Sequence, residues 1–220
     1  MRRSQWLEWL SIVFLLSGCA SFQVAGQVQS GRQALLSNNP EQALIYFQQA
    51  AESEPNYTMQ SGPFREGVWT YVGRAQYNTG KLPEARRSLE RALSLYEDDY
   101  LARLYLGLTL ARGGDRSKGL KEIESGMKGL YDWLEHINYY SLYGPFWDPG
   151  RAIRSEIEKS LGMISGKDIE WPKLISSAEW VGQKVEEEID KARLDERRHR
   201  EREFDRRPGL STGLSIGGGF

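Results

Sequence analysis

The chain carries one thiol, Cys19, and two imidazoles, His136 and His199, in 220 residues. A lone cysteine excludes internal disulfides and cysteine-based metal sites, and the two histidines are too far apart in sequence for any short zinc motif. No histidine stands beside a nucleophile, and neither a Walker glycine loop nor a Gly-x-Ser-x-Gly elbow is present. Gly113-Gly114 and Gly217-Gly218-Gly219 are weak as phosphate cradles, the first lying in a turn and the second at the terminus. The carboxylates are scattered on helix faces among lysines and arginines, the pattern of a solvated surface. The expectation is a protein without a catalytic site, a cofactor or a metal. With 29 basic against 30 acidic residues, bulk charge does not steer it to nucleic acid.

Cys19 is informative by position. Met1-Arg2-Arg3 gives a positive start, Leu10 to Leu16 an apolar core, and Ser17-Gly18 small residues before the thiol, the three parts of a secretory signal. The apolar run is too short for a spanning helix, which needs roughly 20 residues. Leu16-Ser17-Gly18-Cys19 resembles the lipobox of bacterial lipoproteins, in which the cysteine is acylated and the chain is cut just before it. The resemblance implies a signal peptide over 1–18, a lipidated linker over 19–23 and a membrane anchor at Cys19. Two or more acyl chains hold stably where one is marginal, at about 0.8 kcal/mol per buried CH₂. Ala20 in the next position implies the outer membrane, periplasmic side. The other reading of these residues is an ordinary signal cut elsewhere, with Cys19 discarded or left free.

Behind the anchor the elements read as helices in pairs. Gly73 and Gly107 lie 34 residues apart, and the positions around them repeat: Trp69, Val72, Gly73, Ala85, Leu89 and Ala92 against Leu106, Gly107, Gly119, Ile123 and Gly126. Gly31, Ala43, Phe47, Ala50 and Pro55 align with them. Small residues sit where two antiparallel helices approach most closely, and Phe47, Leu89 and Ile123 fill the space beside them. Turns are expected at Ser37 to Pro40, Asn78 to Pro83 and Arg112 to Asp115, with Gly ending one helix and Pro or Asp opening the next. This pattern resembles the tetratricopeptide repeat over 24–133, in units of about 24–57, 66–99 and 100–133. An insertion near Thr58 to Arg65 is expected to be a surface loop or a lengthened helix end. Gly119, Gly126 and Gly129 are expected to weaken the last repeat helix by roughly 1 kcal/mol each relative to alanine.

The rest of the chain, 134–194, reads as an aromatic plug and capping helices. Tyr131, Trp133, Tyr139, Tyr140, Tyr143, Phe146 and Trp147 read as a cover for the open end of the array, with an aromatic ligand pocket as the other reading. Ile153, Ile157 and Leu161 mark a capping helix. Ile175, Ala178, Val181, Val185, Ile189 and Ala192 give the next helix one apolar face. At about Leu194 this helix is expected to divide into a docked and a free part. Over 195–220 a helix end of alternating charge gives way to a glycine-rich tail expected to be disordered.

The fold implied is all-α, a tetratricopeptide-type helix-turn-helix solenoid with C-terminal capping helices and a long charged terminal helix. The family's groove positions fall here on Arg32, Arg74, Tyr77, Asn78, Leu108 and Arg112, and the arginines imply acidic or carboxylate-bearing ligands. The competing reading is that these inner-helix charges are merely solvated or are covered by the C-terminal helices. The resemblance implies a non-catalytic scaffold for an envelope protein or peptide, in assembly, secretion or pilus machinery. The alternative is a periplasmic binding component for a small molecule or glycan.

Overall fold

A computed structural model describes residues 22–61, 63–142, 144–166 and 168–205. The expected signal segment, Cys19, Tyr143 and the glycine-rich tail lie outside the described residues. Among the described residues the protein is mostly helical: α1 (22–36), α2 (Pro40–Ser53), α3 (Val68–Asn78), α4 (Leu82–Leu95), α5 (Tyr100–Arg112), α6 (Arg116–Tyr140), α7 (Ala152–Ile164) and α8 (Trp171–Asp205). Two short strands, β1 (Thr58–Ser61) and β2 (Phe64–Gly67), interrupt the series.

The first six helices form three hairpins held by one recurring contact. A side chain at Gly31 would run into the ring of Phe47, one at Gly73 would meet Leu89 Cγ at 2.5 Å, and one at Gly107 would meet the backbone of Ile123 at 2.5 Å. In the third hairpin Gly107 faces Ile123, Leu104 faces Gly126 and Ala111 faces Gly119, so the two helices run in opposite directions. Three glycines along this seam let the backbones touch. Gly119 and Gly126 therefore do not act only as weak points, because their missing side chains permit the α5–α6 contact.

The turns repeat as well. Asn38, Gly80 and Gly114 take positive φ, the left-handed conformation that ends helices. The next residue in each case, Asn39, Lys81 and Asp115, donates its N–H back to the carbonyl of Ala34, Gln76 and Leu110 at 2.8–2.9 Å. Asn39, Asp99 and Asp115 then cap α2, α5 and α6 through their side chains, and Pro40 and Pro83 occupy first-turn positions.

Three elements differ from expectation. The insertion is a β-hairpin, with Thr58 opposite Gly67 and Ser61 opposite Phe64, and it packs inward through Met59, Ser61, Phe64 and Glu66. Helix α6 does not stop at 133 but runs to Tyr140, because Leu130, Leu134 and Ile137 continue its buried stripe. Docking of α8 continues past Leu194: Glu196 is buried, and His199 lies 5.6 Å from the ring of Phe146.

The aromatic stretch splits in two. Trp147 is buried, stacked on Phe64 at 5.8 Å and edge-on to Trp133 at 5.1 Å, and covers the hairpin. Tyr139 and Tyr140 stand in solvent. Asp148 opens α7 by accepting the N–H groups of Ile153 and Arg154 and pairing with the Arg154 guanidinium at 3.0 Å.

Candidate partner-binding groove

Helix α8 lies across α1, α3 and α5 and runs against their direction. Near its start Glu179 pairs with Arg112 at 2.6 Å and accepts the hydroxyl of Tyr77. At its middle Glu186 binds Arg32 and, at 2.6 Å, Arg74. Asp190 reaches Arg32 at 3.2 Å, and Arg193 donates to Ser61 at 2.6 Å and to the carbonyl of Gln60 at 3.0 Å. Gly182 makes the close crossing possible, since a side chain there would meet Tyr105 Cε2 at 2.6 Å.

The six positions assigned by resemblance therefore separate. Arg32 and Arg74 are buried and paired with carboxylates of their own chain, Arg74 at the inner wall of the cleft and with its Nε unpartnered among the described residues. Tyr77 is buried against Glu179 and Tyr105. Leu108 is fully buried core and does not line the cleft. Asn78 and Arg112 remain at the surface, on a cleft of about 440 Å³ that also takes in Leu35, Pro40, Tyr105 and Gln183. Cys19 lies outside the described residues.

The electrostatics of the closed part follow from burial. A charge removed from water costs several kcal/mol unless it is paired and hydrogen-bonded. Burial works against ionisation of Glu186, but the charges of Arg74 and Arg32 outweigh it and draw the carboxyl below its usual range. Glu66, on β2, also accepts from Arg74, at 2.7 Å, and its second oxygen has no partner among the described residues. Burial pushes this carboxyl up to about 8, with Glu186 and Asp99 reinforcing the rise and Arg74 opposing it. One arginine thus serves two carboxylates, and the better-paired one keeps the charge. Asp99 sits behind them, raised by burial although Thr70 donates to it at 2.6 Å and Ala102 at 2.9 Å.

Sequence reasoning missed Glu186, Glu179, Asp190 and Glu66. Glu186 left a trace, because it falls between Val185 and Ile189 on the buried side of α8. Nothing in its own helix marks its partners, which lie 112 and 154 residues away.

No family model matches the chain, and no curated protein matches it. Among the described residues no cluster of His, Cys, Asp and Glu is placed to hold a metal ion, and no helix is long and apolar enough to cross a membrane.

Proposed function

We propose that this chain is a tetratricopeptide-type lipoprotein, anchored through Cys19 to the periplasmic side of the outer membrane, that serves as a non-catalytic scaffold for a protein or peptide of the cell envelope. The observation that carries the reading is the way α8 is held. Three glycine-seamed hairpins line up α1, α3 and α5 into a face that grips a helix through arginine–carboxylate pairs. Helix-in-groove recognition of this kind is how such arrays bind partners. Here the chain's own helix fills the Arg32–Arg74 part, and the cleft at Asn78 and Arg112 stays open to a carboxylate-bearing segment.

A second reading rests on another cleft. Phe64, Arg65, Tyr96, Tyr100 and Trp133 line about 360 Å³ beside the hairpin, with the Arg65 guanidinium 4.2 Å from the Tyr96 ring centroid. Such a surface suits a small ring-bearing ligand or glycan.

A photo-crosslinker at Asn78 in intact envelopes distinguishes the two. The scaffold reading expects a discrete protein adduct at stoichiometric yield that Arg112→Glu abolishes. Labelling that is absent, or unchanged by Arg112→Glu, contradicts it, and saturable glycan binding lost in Tyr96→Ala favours the second reading.

A further inference from the structure

The large apolar side chains left in solvent are not spread over the molecule. Phe22 is 84 % exposed, Tyr139 81 %, Leu142 76 %, Tyr140 72 % and Phe204 69 %, while the other large apolar side chains left in solvent among the described residues reach 48 % at most. These five sit at three places far apart in sequence: the start of α1, the end of α6 with the turn that follows it, and the end of α8.

Contacts at the other end show that these three segments share one end. The last residues of α1, α3 and α5 (Leu36, Asn78 and Arg112) line a single cleft with Glu179, near the start of α8. The starts of α1, α3 and α5 therefore lie together at the opposite end. Helix α6 runs against α5, and its Gly129 meets Tyr100, the first residue of α5. Residues beyond Gly129 consequently overhang that end, by about 16 Å at 1.5 Å per residue. Helix α8 travels from Glu179 past the hairpin at Arg193 to Phe146 at His199, and Phe204 lies further on.

We propose that this end of the molecule rests on a phospholipid bilayer, with Phe22, Tyr139, Tyr140, Leu142 and Phe204 in the headgroup layer. The proposal rests on the reading of Cys19 as a lipid anchor. Phe22 follows Cys19 by three residues, a span of at most about 10 Å for extended chain, so the acylated thiol would be fixed beside this same surface. Tyrosine suits the site, having an apolar ring and a polar tip, and is enriched at membrane–water boundaries. The last turns of α8 mix arginines and acids in near-equal number, so apolar side chains rather than attraction to anionic lipid make the contact. The footprint would hold α1, α3, α5 and α8 upright on the membrane, with the Asn78–Arg112 cleft facing away from it.

The test uses full-length protein purified from membranes and reconstituted into vesicles of phosphatidylethanolamine and phosphatidylglycerol with a headgroup-level quencher lipid. Tyr140→Cys and Lys118→Cys each receive one fluorophore, Lys118 lying at the start of α6 and therefore at the opposite end. Quenching at 140 should exceed that at 118 by at least about threefold and be insensitive to salt. Equal quenching at the two positions overturns the footprint, as does shelter of the 140 probe that appears without vesicles and grows with protein concentration, which would assign the patch to a second copy. The mass of the N-terminal fragment reports the anchor separately. An acylated Cys19 with equal quenching sinks only the footprint, and strong quenching at 140 without acylation sinks only the anchor.

Discussion

The two halves of the groove use the same residue type to opposite ends. In the half nearer the hairpin, Arg32 and Arg74 are buried beneath α8 and share Glu186, with Asp190 and Glu66 as their second partners, so they act as structure. In the other half Arg112 is 42 % exposed and its partner Glu179 34 % exposed, so the pair can be exchanged for another carboxylate at little expense. All three arginines lie on the helices that face α8, namely α1, α3 and α5. What separates them is burial, the Arg32 and Arg74 side chains being 0 % and 3 % exposed.

This contrast predicts effects of different size. Glu186→Ala leaves two buried guanidinium groups short of a partner and should destabilise the protein by about 3–5 kcal/mol, the range for breaking a buried pair, read by denaturant unfolding. A cost under about 1 kcal/mol would mean that α8 is not seated on those arginines.

The next effect is one of pH. An unfolded glutamate gives up its proton near 4.5, whereas folded Glu66 holds it to about 8. The native state binds the extra proton across that window. The contribution of Glu66 is therefore complete below 4.5 and is lost as pH rises toward 8. Glu66→Gln should flatten the decline in melting temperature between those values, and an unaltered profile would show that Glu66 is charged and paired. Glu186, held below its usual range, loses its contribution only in acid.

The smallest effect belongs to the open half. Arg112→Ala should change stability by no more than about 1 kcal/mol, as exposed pairs do, while removing the adduct formed at Asn78. A large loss of stability would place Arg112 with Arg74 and erase the distinction between the halves.

The repeated hairpins were legible because their causes are local. Gly31, Gly73 and Gly107 stand at equal spacing from Phe47, Leu89 and Ile123, and the turn residues recur beside them. The β-hairpin was not, since Thr58 to Gly67 is short and owes its burial to Trp133 and Trp147, far along the chain. The groove was half legible. Its arginines could be placed from the repeat, but whether they were free depended on Glu186, whose helix gives no register against α3. The apolar stripe of α8 announced that the helix docks and left open which face of the array receives it.

A double-mutant cycle between Arg74 and Glu186 tests the seating of α8 most directly. Arg74→Met, Glu186→Leu and the two together would be compared by equilibrium unfolding. Each single change strands the other partner of the bond, whereas the double change removes both; the lost Arg32–Glu186 and Arg74–Glu66 contacts enter the single and double variants alike and cancel in the cycle. The account predicts that the double variant is more stable than the sum of the singles implies, by about 1–3 kcal/mol. Additivity within about 0.5 kcal/mol would contradict it, showing that Arg74 and Glu186 do not meet and that α8 does not lie in the groove.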